Sequence, residues 1–249
     1  MKNKQQSDVI YLYGKHTVLS AISNKKRRSI ILYTTKNNFS ELNQNIKDLI
    51  SKKNISVKIV DRSFLDKLLG EEKNHQGICL LAKKLEELDL EFFMKHNSTK
   101  EKITLACLDQ VSDPQNIGAI LRNAAAFGID GLILTKNHSP EENDVIARVA
   151  SGALDLVPII RVTNLAQTIS FLKKHDFTSY GMSLEHKNLQ EINKTKFHAK
   201  SLIILGAEGS GLRKLTNEKI DQAVYIPIKN LDSLNVSSTS AIVFFYANN

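Results

Sequence analysis

The sequence is poor in cysteine and has no long apolar run, and each shortage removes a class of protein. Its two cysteines, Cys79 in GICLLA and Cys107 in ITLACLD, sit inside apolar stretches and form no CxxC. That pattern reads as two buried thiols on strands and excludes a disulfide framework, a zinc ribbon or a redox pair. No stretch approaches the ~18 apolar residues that cross a bilayer. The opening MKNKQQSDVIYLYGKH carries charge without the apolar core of a signal peptide. A cytoplasmic chain with no membrane segment and no metal is therefore expected. Neither GxGxxG nor GxxxxGK[ST] occurs, which argues against a dinucleotide fingerprint and an NTPase phosphate loop.

What is present is an ordinary globular composition with an unusual charge. The 249 residues allow one large domain or two modest ones. An apolar fraction of 42% and a charged fraction of 24% exclude a disordered or fibrous chain. The formal charge is +8, and it is unevenly placed. Residues 1–84 hold 17 basic and 7 acidic side chains, residues 85–100 hold 2 and 4, and residues 101–249 hold 15 of each. A basic front and a neutral back suggest two jobs on one chain, with the front meeting a polyanion. The alternative is solvated surface in a composition rich in lysine (27) and asparagine (21).

The hydrophobic periodicity is α/β throughout. In the front, Lys15–Ser23 is helical, SIILY is a strand and Phe39–Lys52 is one amphipathic helix with Leu42, Ile46, Leu49 and Ile50 on a side. Short strands follow at Val57–Val60 and Ile78–Ala82, with a helical turn at Phe64–Leu69. This alternation predicts a small domain of mostly parallel sheet with helices, over residues 1–84. Residues 85–101, where the charge reverses, are expected to be a linker. Residues 102–249 form the second domain, opening on the strand Ile103–Leu108. There Asp113-Pro114 provides an N-cap and a first-turn proline for a helix reaching about Phe127. Further strands are expected at Leu132–Leu134, Val157–Ile160, Ser179–Met182, Ser201–Leu205 and Ala223–Ile226. Helices are expected at Asp144–Ala150, Asn164–Lys174 and from about Asn235.

Three segments carry the polar residues suited to chemistry. SLIIL runs into GAEGSG (Gly206 to Gly211), a flexible turn at the carboxyl end of a strand, where α/β sheets bind ligands. Glu208 in that turn would repel phosphate and suits a cationic ligand or a hydroxyl. In DPQNIGAILRN, Arg122 sits among apolar residues and calls for an anionic partner, a ligand or a structural ion pair. Asn116 lies six residues earlier, about 240° around an ideal helix, so the two do not share a face. IPIKNLDSLNVSS places Ser233 where it would serve as an N-cap or a ligand contact.

Together, DPQNIGAILRNAAAFG, LILGAEGSGLRKLT and IPI…SLNVSSTSAI resemble the three motifs of the SpoU family of RNA 2′-O-ribose methyltransferases, within the SPOUT class. YGKHTVLSAI and NHQGI resemble the family's amino-terminal substrate-binding domain, whose fold is like an RNA-binding ribosomal protein. The likeness spans about residues 11 to 247 and is greatest to the branch acting on a guanosine ribose in bacterial 23S rRNA. It implies S-adenosyl-L-methionine as cofactor, a trefoil-knotted carboxyl-terminal sheet, rare among folds, and a homodimer through that domain. It places Asn116, Arg122, Glu208, Ser233 and Asn235 in the active site, and Gly206, Ile226 and Leu234 on the cofactor. SSTSAI is more polar than the family's usual run there. Lys15, His16 and His75 are candidates for RNA contact; the alternatives for the histidines are a helix-start residue satisfied by backbone and a residue that orders a turn. A guanidinium is expected to stay protonated, which favours Arg122 as a phosphate anchor over a base. A tRNA or other rRNA substrate, or a non-catalytic RNA-binding assembly factor, are the competing functions.

Overall fold

The structure, a computed structural model, describes residues 8–248. It divides into two units, and the division is not contiguous in sequence. Residues up to Glu86 group with Glu142–Leu156, while Glu87–Glu141 group with Val157–Asn249.

In the first unit, β1 (Val9–Tyr13), β2 (Ser29–Thr34), β3 (Ser56–Ile59) and β4 (Ile78–Lys83) form one sheet in the order β1-β4-β2-β3. The mostly parallel sheet expected here is not what forms. β4 runs antiparallel to both β1 and β2, and the parallel pair is β2–β3. The β2–β3 link is the crossover unit in this segment, and β4 inserts between β1 and β2 in the opposite direction. Strand alternation then sorts the side chains. Ile10, Leu12, Leu32, Leu80 and Ala82 are buried. The other face carries Tyr13, Tyr33 and Cys79, buried together with Leu65 of α4 (Arg62–Leu69).

The helix α1 (Lys15–Ser23) forms as expected. The single helix expected over 39–52 is two, α2 (Lys36–Ser40) and α3 (Gln44–Lys52). Asn43 breaks the run by turning its side chain to accept from Ile46 N at 2.9 Å, the bond that caps α3. The segment 142–156 adds α7 (Asp144–Ala150), stapled through Arg27. That guanidinium is fully buried, with Nε 2.8 Å from Asp155 Oδ1 and Nη1 2.5 Å from Glu142 Oε1. One cation of the basic front is thus structural.

In the second unit, seven strands run in the order β7-β6-β5-β10-β8-β11-β9, every pairing parallel. They are β5 (Ile103–Asp109), β6 (Gly131–Thr135), β7 (Ile159–Val162), β8 (Thr178–Met182), β9 (Leu189–Glu191), β10 (Lys200–Gly206) and β11 (Gln222–Tyr225). β7 starts later than expected, beyond Pro158. The central strands are apolar runs buried on both faces, as a covered parallel sheet requires. The segment expected as a linker contains α5 (Leu90–His96), whose Leu90, Phe93 and Met94 join this unit's core. Asp89 caps α5 by accepting from Glu91 N at 2.8 Å.

Helices α8 (Leu165–Lys173) and α9 (Lys214–Lys219) connect later strands of the sheet, and two further helices complete the site's frame. α6 (Pro114–Ala126) starts where Asp113 accepts from Gln115 N, with Pro114 in the first turn. It packs beside α10 (Val236–Asn248), and Asn123 Nδ2 donates to Ser237 O at 2.8 Å and Ser240 Oγ at 2.9 Å. Ser240 is fully buried, so the polar run SSTSAI serves this helix pair. Among the described residues, no helix is long and apolar enough to cross a membrane, and no group of three or more His, Cys, Asp or Glu is placed to hold a metal.

Candidate active site

The site begins where β5 and β10 end. In register, Asp109 lies opposite Gly206, so both strands stop at the same edge of the sheet. Beyond Gly206 the chain folds straight back: Ala207 N donates to Gly211 O at 3.2 Å and Gly211 N to Ala207 O at 2.9 Å. A Cβ on Gly206 would stand 2.3 Å from the carbonyl carbon of Gly211. Glycine is therefore required here by the turn's own backbone, rather than by the approach of a ligand. Gly211 closes the turn at φ +64, a left-handed conformation that glycine adopts without strain.

This turn exposes Glu208 at its tip and delivers it to two amides. Asn116, in the first turn of α6, donates from Nδ2 to Glu208 Oε1 at 3.2 Å. Asn235 Nδ2 donates to the same oxygen, and to Asn116 Oδ1 at 3.1 Å. Asn235 also caps α10, its Oδ1 accepting from Ser237 N at 2.8 Å and from Ser237 Oγ at 2.5 Å. One side chain thus ends a loop, starts a helix and orients a carboxylate. The second oxygen, Glu208 Oε2, has no hydrogen-bond partner among the described residues and is free to accept from a hydroxyl or face a cation.

The remaining expected residues divide. Arg122 is exposed on α6, with no hydrogen bond or ion pair among the described residues, so it is not a structural ion pair. Ser233 is exposed and does not cap α10, since Asn235 does. Ile226 directly follows β11 and Leu234 directly precedes Asn235; both are half-buried apolar side chains. In a parallel sheet Ile226 lies at the same carboxyl edge as Gly206, and Leu234 adjoins Asn235, which bonds Glu208 there.

In the first unit, Lys15 is exposed and pairs with Glu41 at 3.3 Å. His16 is exposed, and its ring has no partner among the described residues, so the backbone-satisfied alternative does not hold. His75 is corrected as an RNA contact. It is buried, its Nδ1 accepting from Gly77 N at 2.9 Å and its Nε2 bonded to Asp66 Oδ1 at 2.9 Å. It orders the turn that leads into β4. Both cysteines are buried and protonated: burial pushes the Cys79 thiol up to about 12 and Cys107 well above its ordinary value.

Sequence reasoning passed over Asp109 and Arg213. Arg213 N and Nε donate to the two oxygens of buried Asp109, at 3.0 and 2.6 Å. The signal was a lone carboxylate ending an otherwise apolar strand, ITLACLD.

Residues 104–245 match the model of the SpoU rRNA Methylase family, and residues 11–88 match that of RNA 2′-O ribose methyltransferase substrate binding. The chain is 37% identical to a 23S rRNA (guanosine-2′-O-)-methyltransferase, RlmB, of Acinetobacter baylyi, covering 95% of this chain and 96% of that protein. Its identity to the protein of the same name in Pasteurella multocida is 36%, covering 94% and 95%. Among solved structures, the SpoU methyltransferase AviRb of Streptomyces viridochromogenes, in complex with AdoMet, aligns with a TM-score of 0.78 at 19% identity, covering 98% of this chain and 91% of that one. The A. aeolicus TrmH/SpoU tRNA modifying enzyme aligns over 60% of this chain and 75% of its own, with a TM-score of 0.53 at 22% identity.

Proposed function

Because this chain belongs to the SpoU rRNA methylase family, we propose that it methylates the 2′-oxygen of a guanosine ribose in 23S rRNA, with S-adenosylmethionine as donor. The observation that carries the reading is the meeting of Asn116, Glu208 and Asn235, one residue from each motif, at the carboxyl edge of a parallel sheet. The resident chemistry fits the donor: half-buried Ile226 and Leu234 offer apolar contact to an adenosyl group beside Gly206, and the open Glu208 Oε2 tolerates a positive sulfonium. When bound, S-adenosylmethionine supplies an electrophilic methyl.

The protein's own residues do the rest. Holding a ribose oxygen in line with the transferable methyl is worth much of the barrier, and the two asparagine amides fix the Glu208 carboxylate that would receive the hydroxyl. A ribose hydroxyl is a poor acid, so charge developing on its oxygen needs stabilisation. Exposed, unpartnered Arg122 supplies a guanidinium for the adjacent phosphate, whose planar fork suits it. Ser233 contacts the ribose or the donor's carboxylate end. Lys15 and His16 contact RNA from the first unit. That unit carries 18 basic and 11 acidic residues against 16 and 15 in the other, so the positive excess follows the structural division. The working protein is a cytoplasmic homodimer joined through the second unit.

The test is methyl transfer to unmodified rRNA and tRNA pools, with mapping of the 2′-O-methyl position. A single guanosine in 23S rRNA is expected. Methylation confined to tRNA overturns the substrate, and absence of transfer to either overturns the reaction.

A further inference from the structure

Among the phenylalanines and tyrosines described in the first unit, Phe64 alone is exposed, at 42%. It stands in the first turn of α4, just beyond the edge strand β3. Its inner face is occupied: the ring stacks on buried Tyr33 with centroids 5.7 Å apart and planes 28° apart. Tyr33 is also covered by its cross-strand partner Lys58, whose Nζ lies 5.6 Å from the ring centroid. Phe64 is thus the outer member of a stack.

Around this corner Lys58, Arg62 and Lys67 are all exposed, and none forms a hydrogen bond or ion pair among the described residues. The two nearby carboxylates are engaged. Asp61 caps α4, accepting from Phe64 N at 2.8 Å and Ser63 Oγ at 3.0 Å, and Asp66 holds His75. An exposed ring on a segment whose exposed cations form no ion pair among the described residues suits a ligand with alternating flat and anionic groups.

We infer that this β3–α4 corner binds an unpaired nucleotide of the RNA substrate, its base stacked on Phe64 and its flanking phosphates met by Lys58, Arg62 and Lys67; this rests on the function proposed above. Duplex RNA offers no free base face, whereas unpaired bases stack on aromatic side chains. The corner would therefore discriminate structure in the RNA rather than its charge alone.

The chain has no tryptophan, so Phe64→Trp installs a single fluorescent reporter in the full-length protein. The probes are a fluorescein-labelled 23S rRNA fragment with an unpaired loop and the same fragment annealed to its complement, read by anisotropy. Phe64→Ala is expected to bind the loop about tenfold more weakly, within the range for one lost base stack, with duplex binding unchanged. The Phe64→Trp emission is expected to quench saturably with the loop. Wild-type loop affinity in Phe64→Ala overturns the inference, as does equal weakening for loop and duplex. So does unchanged Trp emission while anisotropy reports binding, a readout that survives even if Phe64→Ala misfolds. These results leave the function standing as long as the wild type methylates rRNA. A wild type that neither binds nor methylates RNA overturns both.

Discussion

Asp109 and Arg213 hold one another across the carboxyl edge of the larger sheet, and by doing so close the turn that carries Glu208. The carboxylate of Asp109 is wholly buried, and the Arg213 side chain is 37% exposed. Gly206 lies opposite Asp109 in register, and Arg213 bonds to Asp109's side chain, so both ends of the turn are anchored at one residue. Arg213→Ala leaves a buried carboxylate with one backbone N–H as its remaining donor. We expect a loss of about 3 kcal/mol in chemical denaturation, the low end for breaking a buried pair, with a fall in kcat as the turn loosens. Arg213→Lys should recover part of the stability, since it keeps the charge but not the fork.

Asn235 joins a structural bond to a site contact, and one substitution separates them. Aspartate is as good an N-cap as asparagine, so Asn235→Asp should keep its melting temperature. It also sets a second carboxylate against Glu208, and methyl transfer should fall on the order of 100-fold, as for loss of an oriented donor. Asn235→Ala should lose a comparable activity and also about 1 kcal/mol of stability. Equal activity in Asn235→Asp and wild type would remove the Glu208 contact from the mechanism.

Arg122 has no structural partner, so its removal should be silent in stability and loud in rate. Arg122→Ala is expected to stay within about 0.5 kcal/mol of wild type while single-turnover methylation drops on the order of 100-fold or more. Arg122→Lys keeps the charge and loses the planar fork. Near-normal turnover in that variant sinks the bidentate phosphate role.

Asp221 ties β8 to β11: its Oδ2 accepts from Ser179 N at 2.9 Å and Ser179 Oγ at 2.6 Å, and Oδ1 lies 2.8 Å from Lys173 Nζ. Burial opposes its charge, but Lys173 and Ser179 outweigh that and hold its pKa below the ordinary 3.8. A depressed pKa means the stabilisation is present at neutral pH and is lost as pH falls through the folded value. Asp221→Asn should therefore be less stable than wild type at pH 7, with the gap in denaturation midpoint narrowing below about pH 4.

Much of this molecule was legible in its residues, and the failures have physical causes. α1 and α7 lie where their periodicity and flanking residues place them, because local signals decide a helix. The antiparallel β4 was not legible, since pairing direction depends on which strands become neighbours. α5 was hidden by the charge reversal around it, although Asp89 followed by Leu90, Phe93 and Met94 is a cap and an apolar stripe. The polar trio of the site was marked by motif, yet the Asp109–Arg213 bond was not. Its partners are set by the register of β5 on β10, which brings together residues 104 apart in the chain. His75 shows the converse: its residue type suggested a ligand contact, and its burial made it a turn.

The return of Glu142–Leu156 to the first unit bears on the order in which the chain becomes a protein. Arg27 emerges from the ribosome early, but its buried partners Glu142 and Asp155 emerge only after β5, α6 and β6 have been made. At roughly 5–20 residues per second, several seconds pass in which the amino-terminal sheet exists without its last helix. The unit begun first is completed only after the second has been started, and a guanidinium destined for burial stays in water until then.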